Sequence, residues 1–377
     1  MAKYKLGDIV TLLNGRAYLM PELQDSGKYR ILRVGNLSGG NDSWYYSDME
    51  LDENKYCENG DLLYAWACNF GPHIWREEKV IYHYHIWKLV ENKEKVDRTY
   101  LYYYLLHQTP FYLGGVNGAT MVHITKKNME KKTVYIPSSL NVQHRIASIL
   151  STYDTLIENN AKRIRLLEKM AENLYKEWFV RFRFPGHENV EMENGLPKGW
   201  KVKKYEDEFN VKYGKGLPTD KLTKDGFPVF GSNGQIGYYT SYMYDTPQIL
   251  ISCRGASSGV VNISLPKSFI TNNSLICEMT NKTESVFEYL KYYFLNTNLV
   301  QYQTGSAQPQ ITINNIVKLK LLIPSTDIQI KFADKVRTLD KEVGNLQLQN
   351  SLLARQRDLL LPRLMSGKLE VKEELLE

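Results

Sequence analysis

One stretch of this chain occurs twice, and that duplication limits what it can fold into. Residues Gly118 to Pro137 read GATMVHITKKNMEKKTVYIP, and Gly305 to Pro324 read GSAQPQITINNIVKLKLLIP. Gly, Ile-Thr, Asn, Lys and Ile-Pro fall at the same places in both copies, and a long helical pattern follows each. Short repeats stacked in series would give a solenoid, but a period of half the chain predicts two copies of one unit.

The helical patterns carry a heptad seam. In the first copy it runs through Ile146, Leu150, Tyr153, Ile157, Asn160, Ile164, Leu167, Ala171, Leu174 and Trp178. In the second it runs through Phe332, Val336, Leu339, Val343, Leu346, Asn350, Leu353, Arg357, Leu360 and Leu364. Steps alternating between four and three place these side chains on one stripe, as in a coiled coil. Helices of roughly 40 residues at ~1.5 Å per residue would be rods of about 60 Å. An apolar stripe of that length needs a partner. A globular unit separates the two helices in sequence, so antiparallel pairing within the chain is the economical arrangement. Asn160 and Asn350 put one polar residue on each seam. A buried Asn at such a position fixes register if it finds a partner, and a solvated helix edge is the alternative. No proline interrupts either pattern before Pro185 or Pro362.

The segments ahead of the helices predict β-rich units of about 130 residues, each large enough for its own core. In the first, Arg30-Ile-Leu-Arg-Val alternates as a half-buried strand does, and Val80 to Leu89 reads as one strand. Tyr100 to Gln108 reads as a short helix. In the second, Gly231-Ser-Asn-Gly234 reads as a glycine-rich loop, Ile249 to Gly255 as a strand ending in glycine, and Glu288 to Asn296 as the matching helix. Leu62 to Gly71 is the counterpart of the Ile249 strand, with Cys68 opposite Cys253. Between the units, Phe184-Pro-Gly and Asn194-Gly-Leu-Pro197 form a turn-rich linker. The fold class is therefore α+β: two similar β-rich domains separated by two long antiparallel coiled-coil helices. The predicted boundaries are 1–137 for the first domain, 138–184 for the first helix, 185–198 for the linker, 199–324 for the second domain and 325–377 for the second helix and tail.

Composition narrows the function classes. No apolar run approaches the ~18 residues of a membrane span, and MAKYKLGDIV has no signal-peptide core, so a cytoplasmic protein is expected. The four cysteines form no CxxC pair, which suggests neither a zinc site nor a disulfide framework. The net charge of +6 permits nucleic-acid binding without requiring it. Tyrosine occurs 27 times, as a core residue of β-sheets or as a stacking and interface residue. A phosphate loop GxxxxGK[ST], GxGxxG, HExxH and a Pro-Pro-aromatic methyltransferase tetrapeptide are all missing. His83 and His85 share one face of a strand but fall short of a metal set. Two well-formed units without these signals point to binding modules rather than to an enzyme.

The chain resembles the specificity subunit of type I restriction-modification systems. The residues that carry the resemblance are Gly118-Ala119, Ile124-Thr125 and Ile136-Pro137 with Gln143, Ile146-Ala147, Leu150 and Asp154. Glu177-Trp-Phe-Val180, Phe184-Pro-Gly186, Gly195-Leu-Pro-Lys-Gly-Trp200 and Leu359-Leu-Leu-Pro-Arg-Leu364 extend it over the whole chain. It implies two target-recognition domains, each reading one half of a split and asymmetric site on double-stranded DNA. It also implies a coiled-coil spacer that fixes the gap and docks two modification (methyltransferase) subunits, with ATP-dependent restriction subunits joining that core. The chain itself would be non-catalytic and bind no cofactor; S-adenosylmethionine, ATP and magnesium would belong to the partners. The competing readings are a coiled-coil scaffold with protein-binding ends, and the specificity-like part of a combined restriction-methylation enzyme.

Base edges are read by Arg, Lys, Asn and Gln, and phosphates by cations and hydroxyls. Loop residues of those types beside the duplicated stretch are Arg33, Asn36, Asn69, Asn117, His123 and Lys126 in the first unit. In the second they are Lys215, Ser232, Asn233, Arg254, Gln308 and Gln310. For each, a hydrogen bond that merely holds its own loop is the alternative.

Overall fold

Leu62–Ala65 and Ile249–Ser252 are buried along their whole length, as strands covered on both faces must be. Each is a middle strand of a four-stranded antiparallel sheet in the computed structural model, which describes residues 1–37, 43–68, 70–113, 124–281, 283–305 and 308–371. The first sheet has the order Val10–Asn14, Ile86–Glu91, Leu62–Ala65, Gly71–Ile74; the second has Phe209–Tyr213, Ser274–Met279, Ile249–Ser252, Val261–Ile263. Val10–Asn14 and Phe209–Tyr213 bury the same two positions of five. The repeat in the sequence is thus a repeat in topology.

The chain divides into two compact units, Met1–Asn160 with Leu348–Glu377, and Ala161–Gln347. Both divisions fall inside the long helices, Leu140–Tyr175 and Thr326–Met365, so each unit contains a piece of both. In the first unit a further sheet joins Tyr45–Ser47, Tyr29–Leu32, Val80–Tyr82 and Tyr56–Cys57. Tyr29–Leu32 and Val80–Tyr82 run parallel. In the second unit Gly234–Tyr239, Phe227–Gly231 and Phe269–Ile270 form the equivalent sheet, again with its parallel pair. A short antiparallel pair closes each unit beneath the long helices: Ala2–Lys5 with Thr133–Ile136, and Lys201–Lys204 with Lys320–Ile323. The Ile-Pro end of the duplicated stretch is the last step of that pair.

One glutamine then ties each long helix to its unit. Gln143 is fully buried; its amide nitrogen donates to the carbonyls of Pro137 (2.8 Å) and Lys95 (3.0 Å), and its oxygen accepts the Asp97 N–H (2.8 Å). Gln329 repeats this with the Pro324 carbonyl (2.8 Å) and the Val286 N–H (2.8 Å). The amide spans the Ile-Pro strand and the start of the domain's own helix, Arg98–Leu113 in one case and Phe287–Leu295 in the other. That is why a long polar side chain occupies a core position next to the helix start.

The two long helices run antiparallel within each unit. In the first unit Asp154 pairs with Arg357 at 2.5 Å, and farther along Asn160 bonds Asn350. In the second unit Arg163 pairs with Glu342 at 2.8 Å. Ile146, Leu150, Tyr153, Ile157, Asn160, Ile164, Leu167 and Leu174 are buried or half-buried, as are Phe332, Val336, Leu339, Val343, Leu346, Asn350, Leu353 and Leu360. Arg357 occupies the seam position that Ala171 holds in the other copy, and its charge is answered by Asp154, whose other oxygen accepts the Tyr103 hydroxyl at 2.5 Å. The second unit repeats the Tyr-Asp bond between Tyr292 and Asp340 at 2.8 Å, with Lys291 as the cation at 2.7 Å.

Several sequence expectations are revised. Val80 to Leu89 is not one strand but two, Val80–Tyr82 and Ile86–Glu91, which belong to different sheets and are broken by a turn at 84–85. His83 therefore lies just before the turn and His85 within it, instead of the two sharing a strand face. The helix read as Tyr100 to Gln108 spans Arg98–Leu113 and passes Pro110, because Tyr112 beyond the proline is anchored in the core. The second long helix likewise passes Pro362, since Leu361, Leu364 and Met365 are core residues of the first unit. Gly231 to Gly234 is a tight hairpin whose two turn residues are Ser232 and Asn233. By register Trp66, not Cys68, is the counterpart of Cys253: the Trp66 N–H bonds the His85 carbonyl as the Cys253 N–H bonds that of Asn273. Cys68 is exposed. The linker is also more than a polar tether. Phe184 and Trp200 are buried against Phe179, and Asn194-Gly195, both with positive φ, turn a hairpin between Met192–Glu193 and Leu196–Pro197.

Candidate nucleic-acid interface

The parallel strand pair creates one loop edge in each unit, and the two edges superimpose residue by residue in their hydrogen bonds. Arg16 and Lys215 are equivalent: each bridges the residue after the parallel strand, His83 and Thr271 respectively. The Tyr84 N–H bonds the Arg16 carbonyl (3.0 Å), as the Asn272 N–H bonds that of Lys215 (3.1 Å). The glycine before each cation is required. A Cβ on Gly15 would lie 2.4 Å from the Tyr82 and His83 carbonyl oxygens, and one on Gly214 would lie 2.3 Å from that of Thr271. The backbone thus brings three loops together at the same place in both units, while the side chains differ.

In the second unit the edge gathers most of the predicted residues. Ser232 lies at the hairpin turn, where its hydroxyl donates to the Asn273 carbonyl (3.3 Å) and its own carbonyl accepts from Ser252 and from Asn262 (3.2 Å). The carboxamide oxygen of Asn233 accepts the Ser257 hydroxyl. Arg254 pairs through its backbone with Gln310, which in turn pairs with Thr304. The side chains of Lys215, Arg254, Gln308 and Gln310 are exposed and have no partner among the described residues. Ser232 and Asn233 are engaged in holding the turn, whereas these four are available to a ligand.

The sequence reading missed Asn272 and Asn273. They look like any polar loop pair, and only the fold places them between Lys215 and Arg254. No local signal could have ranked them above other asparagines.

The first unit presents rings at the same edge. The imidazole of His83 lies 4.4 Å from the Tyr84 ring and 4.8 Å from that of His85, and Trp66 packs 5.1 Å from His85. Burial, then His85 and Arg33, push the His83 imidazole down to about 4, so it is neutral near pH 7. Burial also lowers His85. Arg16 is held by Glu22 in a two-pronged pair at 2.7 and 3.0 Å. Arg33 stacks 4.4 Å over Tyr45 and donates to the Ser43 carbonyl at 3.1 Å, the same oxygen that Asn36 reaches at 3.1 Å. Arg33 and Asn36 are thus both engaged by the Ser43 carbonyl. Lys126 begins the short helix capped by Thr125 and lies 3.7 Å from Glu130. Asn69, Asn117 and His123 lie outside the described residues.

Among the described residues no group of three His, Cys, Asp or Glu side chains stands close enough to hold a metal ion. No helix among them is long and apolar enough to cross a membrane.

Comparisons with known proteins agree with this architecture. A specificity subunit named for the type I restriction enzyme MjaIX of Methanocaldococcus jannaschii is 29% identical over 307 residues, covering 74% of this chain and 71% of that one. The MjaVIII specificity subunit of the same organism is 22% identical over an alignment of 399 positions, covering 98% and 92%. The crystal structure of a type I restriction-modification S subunit from M. genitalium has the same fold, with a TM-score of 0.60 at 19% identity over 96% of this chain and 95% of that one. The family model for the type I restriction modification DNA specificity domain matches twice, over residues 1–169 and 197–354. The duplicated unit read from the sequence is that domain, and this chain belongs to the family of type I restriction-modification DNA specificity proteins.

Proposed function

We propose that this chain is the sequence-reading subunit of a type I restriction-modification complex, in which each unit reads one half of an asymmetric, bipartite site on double-stranded DNA. The observation that carries the reading is the pair of equivalent loop edges: one backbone framework displayed twice, with different side chains. A shared framework suits a shared task, contact with the DNA backbone and grooves, and differing side chains suit different base sequences. The two helices that pass through both units supply the spacer, since a helix converts residue count into distance.

In this reading the chain performs no catalysis and holds no cofactor. Two modification subunits dock on the helices and bring S-adenosylmethionine, and restriction subunits bring ATP and magnesium. The complex works in the cytoplasm, where the DNA is. The test is methylome mapping of cells that express the chain with its modification partner. The expected result is one bipartite motif with unlike halves and a fixed gap. A continuous or symmetric motif would refute the reading.

A further inference from the structure

The turn Thr271-Asn272-Asn273 is pinned on all sides. The Ser274 N–H bonds the Thr271 carbonyl (3.1 Å), the Asn272 N–H bonds the Lys215 carbonyl (3.1 Å), and the Asn273 carbonyl accepts both the Cys253 N–H (2.9 Å) and the Ser232 hydroxyl (3.3 Å). Every one of these bonds uses the turn's backbone. The two carboxamides are left without a partner among the described residues, Asn273 exposed and Asn272 half-exposed. Arg254 follows Cys253, whose N–H bonds the Asn273 carbonyl, and its guanidinium has no partner among the described residues. Neighbouring side chains of this unit behave otherwise: Asn233, Asn262 and Ser232 use their polar atoms to hold loops.

We propose that Asn272 and Asn273 are specificity-determining residues of the second unit and read adenine, with Arg254 beside them reading guanine. The proposal rests on the DNA-reading role proposed above and deepens it. A carboxamide has one acceptor and two donors in a plane, which match N6 and N7 of adenine in the major groove, and a guanidinium matches O6 and N7 of guanine. Groups that read bases must be rigidly placed yet unsatisfied within the protein, because a side chain already bonded would lose one partner to gain another. The turn meets both conditions. In the first unit the same backbone positions carry Tyr84 and His85, whose ring centroids lie 4.0 Å apart with the planes tilted by 46°. That turn has no carboxamide to offer adenine, so the two half-sites differ in chemistry at this position.

The test compares methylomes of cells that express the wild-type chain or N272A/N273A, each with the modification partner. The expected outcome is a motif relaxed at one or two adenine-containing positions of one half, with the other half and the gap unchanged. Binding of the purified complex to the wild-type duplex should fall on the order of 5- to 100-fold, the discrimination of one or two base contacts. The first-unit half serves as the internal control. A motif unchanged in both halves overturns the proposal, as does loss of both halves in a complex that melts like the wild type. If the double variant does not fold, N273A at the exposed position is read by the same criteria. If the wild-type chain gives no bipartite motif, the parent reading itself fails, and this inference with it.

Discussion

Asn160 donates from its carboxamide nitrogen to the carboxamide oxygen of Asn350 across 3.0 Å, and Asn350 returns a bond to the Ile157 carbonyl at 3.4 Å. The two asparagines of the heptad seams are therefore partners, not solvated edge residues. Asn160 is 8% exposed and Asn350 half-buried, so the bond lies inside the seam. Asn350→Ala is expected to destabilise the first unit by about 1–3 kcal/mol, because it leaves the buried Asn160 carboxamide nitrogen only its 3.4 Å bond to Gln349. The double change N160L/N350L is expected to be neutral or stabilising in urea unfolding, yet to permit shifted helix pairings. Cysteine cross-linking across the seam measures register; a single cross-linked pair in the double variant would show that the asparagines do not set it.

Gln143, itself fully buried, joins three backbone groups, those of Lys95, Asp97 and Pro137. Gln143→Ala should cost roughly 2–4 kcal/mol and loosen the junction between the long helix and its domain. Hydrogen exchange reads this locally: the Asp97 N–H, bonded to the Gln143 oxygen at 2.8 Å, should lose protection. Gln329→Ala should do the same at Val286, whose N–H it accepts at 2.8 Å. Retained protection at both amides would mean that the glutamines are not the ties.

His83 gives the first unit a pH dependence of predictable sign. Its imidazole titrates near 4 in the fold, because of burial first and then His85 and Arg33, against about 6.5 in an unfolded chain. Between those values the unfolded state binds a proton that the folded state does not, so stability falls as pH falls through that window and is unaffected above it. The urea midpoint of the first unit should drop from about pH 7 to about pH 5, and His83→Gln should flatten that slope. An identical slope in the variant would assign the effect to other groups.

The spacer reading predicts a change in DNA geometry. Removing matched heptads, residues 161–167 and 343–349, keeps Asn160 and Asn350 and shortens each helix by about 10 Å. The gap between half-sites should shrink by about three base pairs at ~3.4 Å each, with both half-sites unchanged in sequence. Methylome mapping of the shortened chain measures it, and an unaltered gap would remove the ruler role.

The duplication and the two helical seams were legible in the sequence because each is a local pattern. Heptad spacing depends only on which residues a helix turns to one side. Three-dimensional packing decided the rest. Pro110 and Pro362 failed to end their helices because buried side chains beyond them, Tyr112 and Leu364, hold the chain in place. The run from Val80 to Leu89 reads as one strand by composition, yet its halves belong to two sheets. The loop edge was the least visible, because Lys215, Arg254 and Asn272 are far apart in sequence and their segments meet only through long-range pairing, a parallel bridge at Lys215 and an antiparallel strand pair before Arg254. Local periodicity therefore determined the two long helices and the duplication of the unit. Long-range strand pairing, which no local pattern encodes, decided which polar side chains hold loops and which remain free for a ligand.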